Sequence, residues 1–129
     1  MKRIVNSTAA PSPVGPYNQA VMVGDILYMS GQIAIDQATG QLVMDTIEAE
    51  THQVMKNIGH VLSEAGLRYE DVIKCSVFVS DMEMYARINA VYATYFDEAT
   101  APARELVEVA NLPKYVNVEI SCIVDGSKK

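Results

Sequence analysis

The 129-residue sequence predicts an α+β fold, a mixed β-sheet with two helices on one of its faces. Two observations carry that prediction. Runs rich in Val, Ile and Tyr, bounded by Gly and Asp, recur at both ends of the chain. Two stretches in the middle change to helical periodicity, so the order reads β-β-(β)-α-β-α-β-β.

The elements follow in chain order. Ser7 to Pro16, with three prolines and Gly15, is irregular and suits a surface loop. Val21 to Val23 and Ile26 to Met29, split by Gly24-Asp25, read as a hairpin. Ile33 to Ile35 extends the second arm, and Asp36 to Gly40 supplies a turn. From Thr46, residues Ile47, Val54, Ile58, Val61, Leu62 and Ala65 form one helical stripe. Asp45 and Glu48 are spaced as a capping box, and Gly66 is the stop. Val72 to Val79 is a strand. Ser80 and Glu83 then cap a second helix with the stripe Tyr85, Ile88, Tyr92 and Tyr95. Strands around Arg104 to Val109 and Val116 to Val124 end the pattern. In the last, Val118, Ile120 and Cys122 share one face, and Asn117, Glu119 and Ser121 the other.

Length and the absence of a linker or repeat indicate a single domain over 1–129. Half of the residues are hydrophobic, enough for a core without disulfide staples. A net charge of −6 argues against phosphate-driven nucleic-acid binding. Cys75 and Cys122 lie in apolar runs without CxxC spacing and are expected as buried free thiols. The N-terminus has no signal-type apolar core and no run approaches a membrane span, so a cytoplasmic protein is expected. Two helices of about five turns can cover only one face of a five- or six-stranded sheet. Residues of the other face, expected to include Leu106 and Glu119, must meet water or another chain, which points to a homo-oligomer.

Few residues carry chemistry. His52 and His60 are about 12 Å apart along one helix, too far to hold one metal, and no further ligand cluster supports a metal site. The glycines take neither P-loop nor dinucleotide spacing, so no cofactor is expected. Arg104 and Glu119 on neighbouring strands fit two readings. One is a sheet-edge ion pair. The other is a site in which Arg grips a carboxylate with two parallel N–H bonds while Glu handles a water. Gly15-Pro16-Tyr17 could deliver a hydroxyl to a pocket or simply pack on the surface. Gly31, within Ser30-Gly31-Gln32, allows close approach of a ligand or of another strand.

Taken in order, Gly15-Pro16-Tyr17, Ser30-Gly31-Gln32, Val77-Phe78-Val79-Ser80-Asp81, Ile88-Asn89-Ala90-Val91-Tyr92, Pro102-Ala103-Arg104, Val107-Glu108-Val109-Ala110-Asn111-Leu112-Pro113-Lys114 and Val118-Glu119-Ile120 closely resemble the RidA (YjgF-type) family of reactive intermediate deaminases. The resemblance runs from about Asn6 to Val124. It implies a chorismate-mutase-like homotrimer with a central barrel and three clefts between subunits. It also implies hydrolysis of 2-imino and enamine acids such as 2-aminoacrylate, released by pyridoxal-phosphate-dependent dehydratases, to 2-oxo acids and ammonia. The implied activity is that of a 2-iminobutanoate/2-iminopropanoate deaminase, with no cofactor and no metal.

By position, the resemblance assigns Arg104 to the carboxylate, Glu119 to the attacking water and Tyr17 to closing the pocket. It puts Ser30, Gly31 and Asn89 along the cleft. Leu106 stands where many members carry Cys, so its backbone alone is available to a ligand. The alternatives are a 2-oxo-acid sensor, which needs Arg104 but not Glu119, and an endoribonuclease or translation inhibitor, which the acidic balance opposes.

Overall fold

The computed structural model describes residues 1–127. Its main sheet has six strands in the order β1-β2-β3-β8-β6-β7. These are β1 (Lys2–Val5), β2 (Ala20–Val23), β3 (Ile26–Gln32), β6 (Val72–Val79), β7 (Ala103–Glu108) and β8 (Val118–Asp125). All neighbours are antiparallel except β6 and β7, which run parallel through the crossover that carries the second helix. A separate ribbon pairs β4 (Ile35–Asp36) with β5 (Gln41–Leu42).

The first helix, α1 (Ile47–Glu64), buries the predicted stripe against the sheet: Val54, Ile58 and Val61 have no exposure, and Ile47, Leu62 and Ala65 are buried. Each such aliphatic side chain stabilises the fold by about 1.5–3 kcal/mol. The cap is Thr46, whose hydroxyl accepts from the Ala49 N–H at 3.0 Å, one residue on from the expected Asp45 box. Glu48 is turned away to Arg87. Gly66, at φ +76°, ends the helix as expected.

The second helix is shorter than expected. Only α2 (Tyr85–Tyr92) is regular, with a 3₁₀ turn at Met82–Met84 before it and another at Ala93–Tyr95 after it. Asp81, not Ser80, caps the entry by accepting from the Glu83 N–H. The Ser80 hydroxyl instead donates to Asn117 Oδ1.

Three other expectations are corrected. The chain enters the sheet earlier than read, because Lys2–Val5 adds to β2 as an edge strand. Ile33 to Ile35 does not prolong β3: the Asn57 side chain of α1 donates to the carbonyls of Ile33 and Ile35, both at 2.9 Å, and draws the chain off the sheet. Leu106 lies on the helix-covered face, not the open one. Its parallel partner is Val77, which is opposite Ile120 on β8, and Leu106 packs against that core.

The open face exists as expected. Val23, Tyr28 and Val107 are half-exposed on it, and partly buried Ile26, Phe78 and Ile123 share it. Cys75 and Cys122 are free, buried and directly opposite each other, their sulfurs 3.7 Å apart. Among the described residues no helix is long and apolar enough to cross a membrane.

Candidate active site

Two cavities, one on each face of the sheet, are lined by five of the seven predicted site residues; Ser30 and Leu106 line neither. The first, of about 600 Å³, is lined by Asn89, Tyr92, Phe96, Glu98, Pro102 and Arg104, among others. Arg104 reaches it from the edge strand β7, on the core-facing side, because its register partner is buried Cys75. The guanidinium is held on several sides. One terminal nitrogen donates to Asn89 Oδ1 at 2.7 Å and the other to the Tyr85 hydroxyl at 3.0 Å. Its carbon lies 4.9 Å from the centre of the Tyr92 ring, which gives the cation an aromatic platform.

Below that platform the Tyr92 hydroxyl is buried without a hydrogen-bond partner. Burial first, and then the neighbouring Cys75 thiol, push its ionisation far above the usual phenol range. The hydrogen-bonded contact between the two thiols lowers the pKa of Cys75, and the same contact together with burial raises that of Cys122.

The second cavity, about 180 Å³, opens between the N-terminal loop and the end of the sheet. Pro11, Val14, Tyr17, Gly31, Lys114 and Glu119 are among its lining residues. Glu119 is on the open face, opposite Phe78. Burial raises its carboxyl above the ordinary carboxylate range. The β3–β8 register shifts between Met29 and Gln32, placing a bulge at Ser30-Gly31, and the Glu119 side chain lies against Gly31. A Cβ on Gly31 would come within 2.5 Å of the Glu119 carboxylate and 2.9 Å of its Cγ, so only glycine leaves the carboxylate where it is.

Buried Gln19 fixes the Tyr17 loop. Its side chain accepts from the Ser7 N–H at 2.6 Å and donates to the carbonyls of Ser7 and Pro11. Ser30 contributes through the same loop: its hydroxyl donates to the Asn18 carbonyl at 2.7 Å. The opposite wall is a turn in which Lys114 and Tyr115 both adopt left-handed backbone, at φ 54° and 55°. Fully buried Glu50 anchors the chain just beyond, accepting from the Asn117 N–H at 2.7 Å and from its side-chain amide at 2.9 Å.

The chain matches the family model described as Endoribonuclease L-PSP over residues 7–125. It is 50% identical over 122 residues to a RutC family protein of Synechocystis, 94% of each chain being covered. The chain belongs to the RidA (YjgF-type) family. It is also 39% identical over 123 residues to the mouse 2-iminobutanoate/2-iminopropanoate deaminase, with 95% of this chain and 90% of the mouse protein covered. Among solved structures, Escherichia coli TdcF with bound serine superposes with a TM-score of 0.90 at 37% identity, covering 97% of this chain and 99% of that one.

Within this RidA chain the expected residues fall into two groups. Arg104 and Asn89 are bonded to each other, while Tyr17, Gly31 and Glu119 line one cavity. Leu106 is beside Arg104 on the covered side of β7. Sequence reasoning missed Tyr85 and Tyr92 as parts of the arginine's surroundings, because both read as core positions of a helical stripe. The spacing of Tyr85 and Asn89, four apart on one helix face, was the available signal. Lys114 and Tyr115 carried no signal, since neither residue type favours left-handed backbone.

Proposed function

We propose that this RidA-family protein hydrolyses small 2-imino acids to 2-oxo acids and ammonia in clefts shared by two chains of a homotrimer. The observation that carries the reading is the separation of Arg104 and Glu119 onto opposite faces of one sheet, each at its own cavity. Within one chain the two side chains cannot converge on a small molecule. Between two chains they can, provided the open face of one meets the edge strand of the next. The half-exposed Val23, Tyr28 and Val107 give that contact an apolar basis, and a cyclic arrangement buries it without a free end. The activity in the mouse relative's name supports the substrate class.

In this reading Arg104 receives the carboxylate, already oriented by Asn89 and Tyr85. The substrate C2, bonded to a protonated imine nitrogen, is electrophilic without further activation. Glu119 takes a proton from a water as its oxygen attacks C2, and the resulting carbinolamine receives that proton on nitrogen. The C–N bond then breaks as Glu119 accepts the hydroxyl proton, so the oxygen becomes the carbonyl of the 2-oxo acid, and the departing ammonia takes up that proton and leaves as ammonium. Burial of Glu119 brings its basicity nearer neutrality, where a base is most effective. Holding the carboxylate and placing one water is largely proximity and orientation.

A coupled assay tests this: a threonine or serine dehydratase generates the imine, and its decay is followed with and without the protein. Light scattering is expected to give close to three times the 14.1 kDa chain mass. Arg104→Ala and Glu119→Gln chains, each inactive alone, are expected to regain activity when mixed. Every mixed trimer then holds one complete cleft, about a quarter of wild-type activity at equal mixing. A mixture as inactive as its components rejects the shared cleft, and a fully active monomer rejects the assembly. A second reading, a sensor of 2-oxo acids, draws on the arginine cavity, which is ordered for a carboxylate without any help from Glu119. Binding of 2-oxobutyrate with no imine hydrolysis would favour it.

A further inference from the structure

We infer that Tyr85 is a positioning residue for Arg104, and that Tyr85 and Asn89 together form a preset cradle that fixes which N–H groups of the guanidinium are left for a ligand. The inference rests on the reading of Arg104 as a carboxylate clamp.

Arginine has no intrinsic preference for one rotamer at an exposed strand edge, and freezing its long side chain costs up to about 2 kcal/mol of conformational free energy. Here that ordering is done before a ligand arrives. Tyr85 and Asn89 are four residues apart, so they project from one face of α2 one above the other. Each accepts one N–H, from different terminal nitrogens, at 3.0 and 2.7 Å. Two contacts at the two ends of a planar fork fix its rotation as well as its place, which one contact cannot. The Tyr92 ring, 4.9 Å from the guanidinium carbon, supports the plane from a third direction, and the Tyr85 ring lies 5.7 Å away.

Among the described hydrogen bonds Arg104 makes no others, so the Nε–H and the second N–H of each terminal nitrogen remain for a planar anion. On its outer side the helix also carries an exposed ion pair to α1. Arg87, between the two cradle residues in sequence, bonds both carboxylate oxygens of Glu48 on α1 at 2.7 Å.

Tyr85→Phe removes the hydroxyl and keeps the ring, at a position 37% exposed, so folding should be unaffected. Two readouts on the full-length protein test the role. In nitrogen-15 spectra, the terminal N–H signals of Arg104, identified by their absence from Arg104→Lys, are expected to be resolved in the wild type. They should collapse in Tyr85→Phe as the guanidinium rotates freely. Calorimetry with 2-oxobutyrate is expected to show Kd rising roughly three- to tenfold, a reduced value for a partly exposed bond to a charge. KM for the imine rises in parallel while kcat stays within about twofold.

Unchanged Arg104 signals and unchanged Kd overturn the inference, as does a loss of kcat with KM unaffected. If the wild type neither hydrolyses imines nor binds 2-oxobutyrate but the Arg104 signals still collapse in Tyr85→Phe, the cradle stands and the proposed function falls.

Discussion

The arginine side and the glutamate side of the sheet are built by different means. Arg104 is on a regular strand, facing a regular helix, and every group that orients it belongs to β7 or α2. Glu119 also starts from a regular strand, but its surroundings are a bulge, a loop tied down by Gln19 and a turn in left-handed backbone. Secondary structure completes the first side within one chain. The second side is irregular and faces outward, where a neighbouring chain can complete it. In the proposed reaction, recognition of the charge is assigned to the regular half, and handling of water to the half that a neighbouring chain would complete.

Removing the arginine breaks the comparison most severely. Arg104→Ala is expected to abolish imine hydrolysis in the coupled assay with the circular dichroism spectrum unchanged. Arg104→Lys should be nearly as poor, since a point charge cannot use a cradle shaped for a planar fork. Near-normal turnover in the Lys variant would leave Arg104 as a source of positive charge only.

On the other side, Glu119→Gln is expected to lower kcat by roughly 10²-fold or more while 2-oxobutyrate binding persists. The pH dependence sharpens this. Because burial raises the Glu119 carboxyl, the basic form appears only above that raised value, so the acid limb of the kcat profile should be displaced upward and should vanish in the Gln variant. The stability contribution has a definite sign: a raised folded-state carboxyl stabilises below its unfolded value, and that stabilisation is lost as pH rises through the folded value. Glu119→Gln should therefore flatten the dependence of melting temperature on pH in that window.

Gly31→Ala is expected to act on the same side with less effect. The new methyl displaces the Glu119 carboxylate, a flexible side-chain end, so turnover falls well below wild type while the melting temperature moves little. Combined with Glu119→Gln the loss should be far from additive, since both act on one group. The smallest effect is expected at the Arg87–Glu48 bridge, whose guanidinium holds the Glu48 carboxyl down at about 2. Both partners are largely exposed, so Glu48→Gln should leave melting temperature and turnover almost unchanged at neutral pH. A large loss would mean that the placement of α2 depends on this bridge.

These two halves were unequally legible in the sequence. Helix α1 announced itself because six apolar residues repeat at helical spacing, and β8 because Val118 to Val124 alternate. The Pro102-Ala103-Arg104 block pointed to the arginine. The face of Leu106 was misread because alternation along a strand sets relative sides only. Which side is inward depends on pairing with β6, a long-range fact that residue spacing does not encode. Lys2–Val5 was overlooked as a strand because an edge strand with charged residues has no apolar pattern of its own. Nothing in the sequence around Glu50 and Gln19 sets them apart, and only their partners in distant loops make them structural.

The Pro113-Lys114-Tyr115 turn has a consequence for the evolution of stability in this chain. Left-handed backbone at a residue with a Cβ costs about 1–2 kcal/mol, and the turn holds two such residues in succession, Lys114 and Tyr115. That cost is absent from the unfolded chain, so it is subtracted directly from a net stability of only about 5–15 kcal/mol. A glycine or asparagine at either position would return part of it. Selection for thermal endurance alone would therefore drive Lys114 and Tyr115 toward those residues. Beside the Glu119 cavity, then, the shape of this turn comes at the expense of resilience, and a heat-hardened variant would first show an altered wall there.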